Sequence, residues 1–213
     1  MATTMQSEET AMVRAGGADV PELAMLLAHA LSAGSVGAWL VPDAGARVSV
    51  LHRYAELVLE HAVRHGQVDT TEDLSALAVW YSGSVRPAVP TAWARDLERL
   101  LGVSAGRFAL FHAAQPNVPH RYLAHVVDGR GGADGGVLAG RLRVLDAAGL
   151  PSVAEIVSDR PRESLLARCG YQARSPVLLE SGGPVLWRMW RSAPVVVRDG
   201  LPRRVRLQRY GTR

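Results

Sequence analysis

The stretch from Pro119 to Tyr171 constrains the fold of this chain more than any other. It opens on an aromatic and β-branched run, Pro119 to Val127, whose composition predicts a buried strand. A glycine-dense turn follows from Asp128 to Gly136. Then comes a helix with Leu138, Leu142 and Leu145 on one face and Gly149-Leu150-Pro151 to stop it. A second strand, Ser152 to Val157, and a short helix ending at Arg168 lead into Cys169-Gly170-Tyr171. Strand, glycine-rich turn and helix make an anion cradle. The first N–H groups of a helix have no internal acceptor, and glycines let the backbone come close to a phosphate. Any phosphate-bearing cofactor satisfies that description.

A length of 213 residues suits one domain with short extensions and is ample for a core. No apolar run reaches the length of a membrane span, and the N-terminus lacks a basic-then-apolar signal pattern, so a cytoplasmic location is expected and a membrane partner is not. Cys169 is the single cysteine, which excludes an internal disulfide and a cysteine-based zinc site; no metal is expected. Every basic side chain is arginine, which reads as coding bias before it reads as function. From Val185 to Arg213 eight arginines face one acid, Asp199, for a local charge of +7 in a chain whose net charge is +4. A basic tail suits nucleic acid or an acidic partner, but Tyr210 is the one aromatic beyond Trp190. The interleaved stacking residues of a single-strand binder are missing, and nucleic-acid binding is not expected.

Taken in order, residues 1–10 form a polar tail expected to be disordered, 11–192 a single domain, and 193–213 a basic extension. Ala11 to Ala15 suggests a first strand. Asp19-Val20-Pro21-Glu22 has capping-box spacing and opens a helix with Leu23, Leu26, Leu27 and Ala30 on one face. After a loop from Gly34 to Gly45, Leu51, Ala55, Val58 and Ala62 mark a second helix, ended by Gly66. Gln67 to Thr71 and Leu74 to Tyr81 read as a hairpin, and Thr91 as the N-cap of a helix through Leu101. Gly102 to Ala113 reads equally as a short helix or a packed loop. Pro176 to Leu179 and Val185 to Met189 close the domain as an antiparallel pair.

Four pieces of this text share an order with a known family. They are Pro119-His120-Arg121-Tyr122-Leu123, then Asp146-Ala147-Ala148-Gly149-Leu150-Pro151, then Ala154-Glu155, then Leu165-Leu166-Ala167-Arg168-Cys169-Gly170-Tyr171. They resemble the core of the GNAT acyltransferases, the Gcn5-related N-acetyltransferase superfamily, and Leu186 to Arg191 resembles that group's closing strand. The resemblance spans roughly residues 12–192. It implies an α/β fold with a mixed, mostly antiparallel sheet, flanked by helices and splayed between its two central strands. It also implies an acyl-CoA co-substrate, acetyl-CoA or another, and transfer of the acyl group to the amine of a small molecule. A homodimer is an open option.

The resemblance assigns residues to each step of such a reaction. The family's pyrophosphate loop, R/Q-x-x-G-x-G/A, falls on the stretch Arg130, Gly131, Gly132, Ala133, Asp134, Gly135 and Gly136. Read back from the helix without gaps, its positions land on Gly129, Gly132 and Asp134; shifted by one they land on Arg130, Ala133 and Gly135. A carboxylate at Asp134 disfavours a pyrophosphate if it points inward. A backbone N–H near Val126 or Val127 is implied as the group that polarises the thioester carbonyl. Glu155 and His120, and less directly His125, are the candidate bases. Trp39, in the loop before the second helix, is a candidate for contact with the acceptor. The tyrosine that usually protonates the leaving thiolate is replaced by Leu166, and the asparagine before it by Arg162. A catalytically silent domain that binds a ligand or partner is the alternative reading.

Overall fold

A computed structural model describes residues 11–82, 95, 96, 98, 99, 101–114, 121–128, 136–179 and 182–194. His120, residues 129–135, the tail 1–10 and the basic extension beyond 194 lie outside them. The described elements are β1 (Met12–Arg14), α1 (Val20–Ser32), α2 (Ser35–Leu40), α3 (Ala44–His65), β2 (Gln67–Thr71), β3 (Ala76–Tyr81) and α4 (Ala105–Ala113). They continue with β4 (Arg121–Asp128), α5 (Gly136–Ala147), β5 (Ser152–Val157), α6 (Leu165–Arg168), β6 (Gln172–Leu178) and β7 (Val185–Arg191).

The strands form one seven-stranded sheet in the order β1-β2-β3-β4-β5-β7-β6. Every neighbouring pair is antiparallel except β4 and β5, which are parallel. This is the mixed, mostly antiparallel α/β sheet that the resemblance implies. Side chains alternate between the faces of a strand, and β3 shows both faces in use. Leu77, Val79 and Tyr81 pack with α1 and α3, while Ala76, Ala78 and Trp80 pack with α5. All six residues of β3 are buried, as a central strand covered on both sides requires.

The helices form where the residues dictate. The Asp43 carboxylate caps α3 by accepting the Gly45 N–H at 2.9 Å, and Leu51, Tyr54, Ala55, Val58, Leu59 and Ala62 make one continuous buried stripe. At Gly66 a Cβ would stand 2.5 Å from the Trp80 carbonyl oxygen, so only glycine fits between helix and sheet. α5 ends at Gly149, whose φ of +67° is the left-handed turn glycine favours. The Leu150 N–H then reaches back to the Leu145 carbonyl at 2.9 Å, and Pro151 prevents continuation.

Two local expectations are corrected and an open one is settled. Asp19 does not cap α1 with its side chain; it turns back to accept the Gly16 N–H at 2.8 Å, closing a turn ahead of the helix. Gly102 to Ala113 contains a helix, α4, anchored by the fully buried Phe108. The loop from Gly34 to Gly45 contains the helix α2, so Trp39 lies on a helix and not in a loop. No helix among the described residues is long and apolar enough to cross a membrane.

Candidate active site

The sheet opens between its two parallel strands. β4 and β5 pair only over Arg121↔Ser152, Tyr122↔Val153 and Leu123↔Ala154. β4 then runs five residues further, to Asp128, and β5 three further, to Val157, with no pairing between them among the described residues. The cause is on the other edge of β4. Val79 pairs with His125 and Trp80 with Leu123, so Ala124 is an extra residue, a bulge. A bulge bends its strand and increases the local twist. It sits where β4 must leave β5. Val126 and Val127 resume regular pairing with Ala78 and Leu77. They therefore lie in the stretch of β4 whose far edge has lost its strand partner.

Glu155 is the first residue of β5 past the last paired position. Its side chain is 7% exposed and has two long contacts: the Tyr122 hydroxyl donates to Oε2 at 3.4 Å, and Arg188 Nε donates to Oε1 at 3.4 Å. Burial pushes the carboxyl up to about 7, against the opposing pull of Arg188 and Tyr122. Arg188 is also held by the Ala114 carbonyl, at 3.2 Å, just past the end of α4. The Tyr122 phenol is fully buried and stays protonated, burial and the neighbouring Glu155 both raising it well above its ordinary value.

A second polar group lies beside the opening. The Tyr54 ring packs on Phe108 and meets the edge of His125, and its hydroxyl shares a 3.1 Å hydrogen bond with His112 Nε2. Burial holds His125 down to about 4, so its imidazole is neutral at physiological pH. A neutral imidazole with so low a pKa is a poor proton acceptor.

Of the residues the sequence singles out, Glu155, Val126 and Val127 come together at the opening. His120 and the loop residues Arg130, Gly131, Gly132, Ala133, Asp134 and Gly135 lie outside the described residues. Gly136 begins α5 with a φ of +39°, and a Cβ there would meet nothing within 4 Å among the described residues. Trp39 is buried beneath the β6–β7 turn, where a Cβ on Gly183 would come within 2.9 Å of its ring. Leu166 is 2% exposed and packs with Trp80, Leu123, Ala154 and Met189. Among the described residues, no group of three or more His, Cys, Asp or Glu side chains comes together that could hold a metal ion.

Sequence reasoning missed Tyr122, Arg188 and the bulge at Ala124. Arg188 carried a signal: it breaks the apolar run of Leu186 to Trp190 and pairs across to the one acid of β5. The bulge carried none, because a register shift is a property of two strands.

No protein-family model and no curated protein matches the chain. Solved structures do. The "histone acetyltransferase HPA2 and related acetyltransferase" of Corynebacterium glutamicum superposes with a TM-score of 0.62 at 22% identity, over 90% of this chain and 97% of that one. An N-acetyltransferase of Staphylococcus aureus superposes with a TM-score of 0.52 at 10% identity, over 84% and 99%. The chain shares the fold of these acetyltransferases. Within that fold, the opening beside Ala124 and the carboxylate of Glu155 are features of this chain's own backbone and side chains.

Proposed function

We propose that the chain is an acyl-CoA-dependent N-acyltransferase, with acetyl-CoA as donor and a small-molecule amine as acceptor. The observation that carries the reading is Glu155, a buried carboxyl poised to about 7 at the mouth of the strand opening. A general base is most useful when its pKa lies near the working pH. The acetyltransferase identity of both structural neighbours supports the same class of reaction.

The chain's residues suit such a donor. The unpaired edge of β4 beyond Leu123 offers backbone groups to an extended pantetheine arm and an N–H to the thioester oxygen. Gly136 heads a helix whose first N–H groups suit a pyrophosphate. The bound thioester supplies an activated acyl carbon. Glu155 removes the proton from the acceptor ammonium, freeing the nitrogen lone pair to form the C–N bond. The C–S bond breaks with its electrons on sulfur, and the acylated nitrogen gives its second proton to solvent, which leaves the neutral amide. Leu166 has no proton to give, so the sulfur leaves as thiolate, which an ordinary thiol pKa of about 8.5 makes tolerable near neutrality. Arg188 and Tyr122 hold Glu155 in place without neutralising it.

The apolar packing of Leu166 at the position where the resemblance implies an acid favours one alternative, a silent domain that binds the donor without turning it over. Two measurements separate the readings. Melting temperature against acetyl-CoA, longer acyl-CoAs and free coenzyme A reports binding; a ligand at a hundred times its Kd stabilises by about 2.7 kcal/mol. Thiol release across a panel of amines reports transfer. A melting shift with thiol release supports the transferase, a shift without release supports the silent domain, and no shift at millimolar acetyl-CoA overturns both.

A further inference from the structure

A cavity of about 200 Å³ lies at the other end of the sheet, where β4 begins and the strands are still closed. It is on the α5 face, whereas Glu155, next along the strand from the core residue Ala154, is on the opposite face. Trp80 and the cross-strand Gln67 line its sheet side, with Arg121 at the start of β4. Arg141, Val144 and Leu150 line its helix side.

Three features of the lining point the same way. Trp80 is 3% exposed, yet its indole N–H has no acceptor among the described residues. A buried donor left unpaired is costly, and native structures seldom leave one without a role. Arg121 is half-buried and makes no hydrogen bond or ion pair among the described residues. Asp69, the acid held by the lining residues Arg141 and Gln67, is 1% exposed and already occupied: Arg141 donates to both its oxygens, at 2.5 and 2.7 Å, and Gln67 donates to Oδ1 at 2.8 Å. The cavity is therefore bordered by donors unmatched among the described residues and a surplus positive charge on one side, and by apolar side chains on the other.

We propose that this cavity is a second ligand site that binds a small monocarboxylate with an apolar body. The carboxylate accepts from Arg121 and from the Trp80 indole, and the body lies against Val144 and Leu150. A neutral amide of the same shape lacks the charge that Arg121 requires. A bare inorganic anion lacks the apolar part.

The full-length protein, with its indole N–H signals assigned by triple-resonance NMR, is titrated with benzoate, benzamide and inorganic phosphate. Benzoate is expected to move the Trp80 signal saturably, and benzamide and phosphate to leave it in place. Arg121→Gln is expected to weaken benzoate binding by about tenfold or more, the size of a lost charge-assisted hydrogen bond. No saturable movement with benzoate, equal movement with benzamide or phosphate, or an unchanged affinity in Arg121→Gln overturns the proposal. Should Arg121→Gln fail to fold, the contrast among the three probes on the wild-type Trp80 signal decides by itself. Acetyl-CoA binding in the strand opening is a separate measurement on a separate face, and its outcome leaves this test unaffected.

Discussion

Two faces of one sheet treat carboxylates in opposite ways. On the α5 face, Asp69 and Asp146 are each gripped by a forked arginine: Arg141 at 2.5 and 2.7 Å, and Arg191 at 2.5 and 2.6 Å. These pairs fasten α5 to β2 and to β7. On the other face, Glu155 has one long contact with Arg188 and one with Tyr122, both at 3.4 Å. Asp69 and Glu155 are comparably buried, at 1% and 7%, so burial alone does not separate them. Burial pushes both upward, with the arginine working against it in each case. The geometry of the partner separates them. A fork at contact distance satisfies both carboxylate oxygens and fixes the charge in place. A single long contact leaves a carboxyl able to gain and lose a proton near neutrality, which makes one pair a fastening and the other a site.

The sharpest way to break that contrast is Glu155→Gln. If Glu155 is the base, turnover falls by about 10²–10⁴-fold, while chemical denaturation at pH 8 shows stability unchanged or improved, because an ionised, poorly matched carboxylate has been removed. A large loss of stability at pH 8 would instead place Glu155 with the fastening pairs. Asp69→Ala gives the reverse pattern. It strands the Arg141 guanidinium, and breaking one side of a buried pair costs roughly 3–5 kcal/mol, read from urea unfolding.

Proton linkage sharpens the comparison next. The folded Glu155 carboxyl titrates at about 7 against an ordinary 4.5, so the native state holds its proton more tightly. Its contribution to stability is therefore present below pH 4.5 and lost as pH rises to 7, by about 3 kcal/mol. His125 has the opposite sign: its folded value of about 4 lies below 6.5, so its share grows as pH rises from 4 to 6.5. The two offset each other in the wild type. In Glu155→Gln the His125 contribution is unmasked, and stability measured from pH 4.5 to 7 is expected to rise more steeply than in the parent. Parallel curves would mean that Glu155 titrates normally.

The smallest expected effect is at Leu166. Tyrosine there must enter the close-packed cluster around Trp80 and Met189, so Leu166→Tyr is expected to lower stability by about 1–3 kcal/mol with no gain in turnover. Faster thiol release from the variant would mean that a hydroxyl at this position reaches the reacting sulfur.

Much of this protein was legible in one dimension. The strand Ser152 to Val157, the α5 stripe of Leu138, Leu142 and Leu145, and the stop at Gly149-Leu150-Pro151 follow from local residue chemistry. Periodicity and chain-terminating glycines act over a few residues, so a sequence states them directly. Glu155 was named as a candidate base from the strand on which the resemblance puts it. Its setting was not legible. The bulge at Ala124 exists only as a mismatch between β3 and β4, residues more than forty apart. The contacts of Glu155 with Tyr122 and Arg188 each span 33 positions, and the raised pKa comes from burial that no single strand can create. The sequence by itself determined which segments become helix and strand and which side chains could carry a proton. Tertiary structure decided which carboxylates are clamped and which is left free, because partner distance and desolvation are set only when distant strands meet.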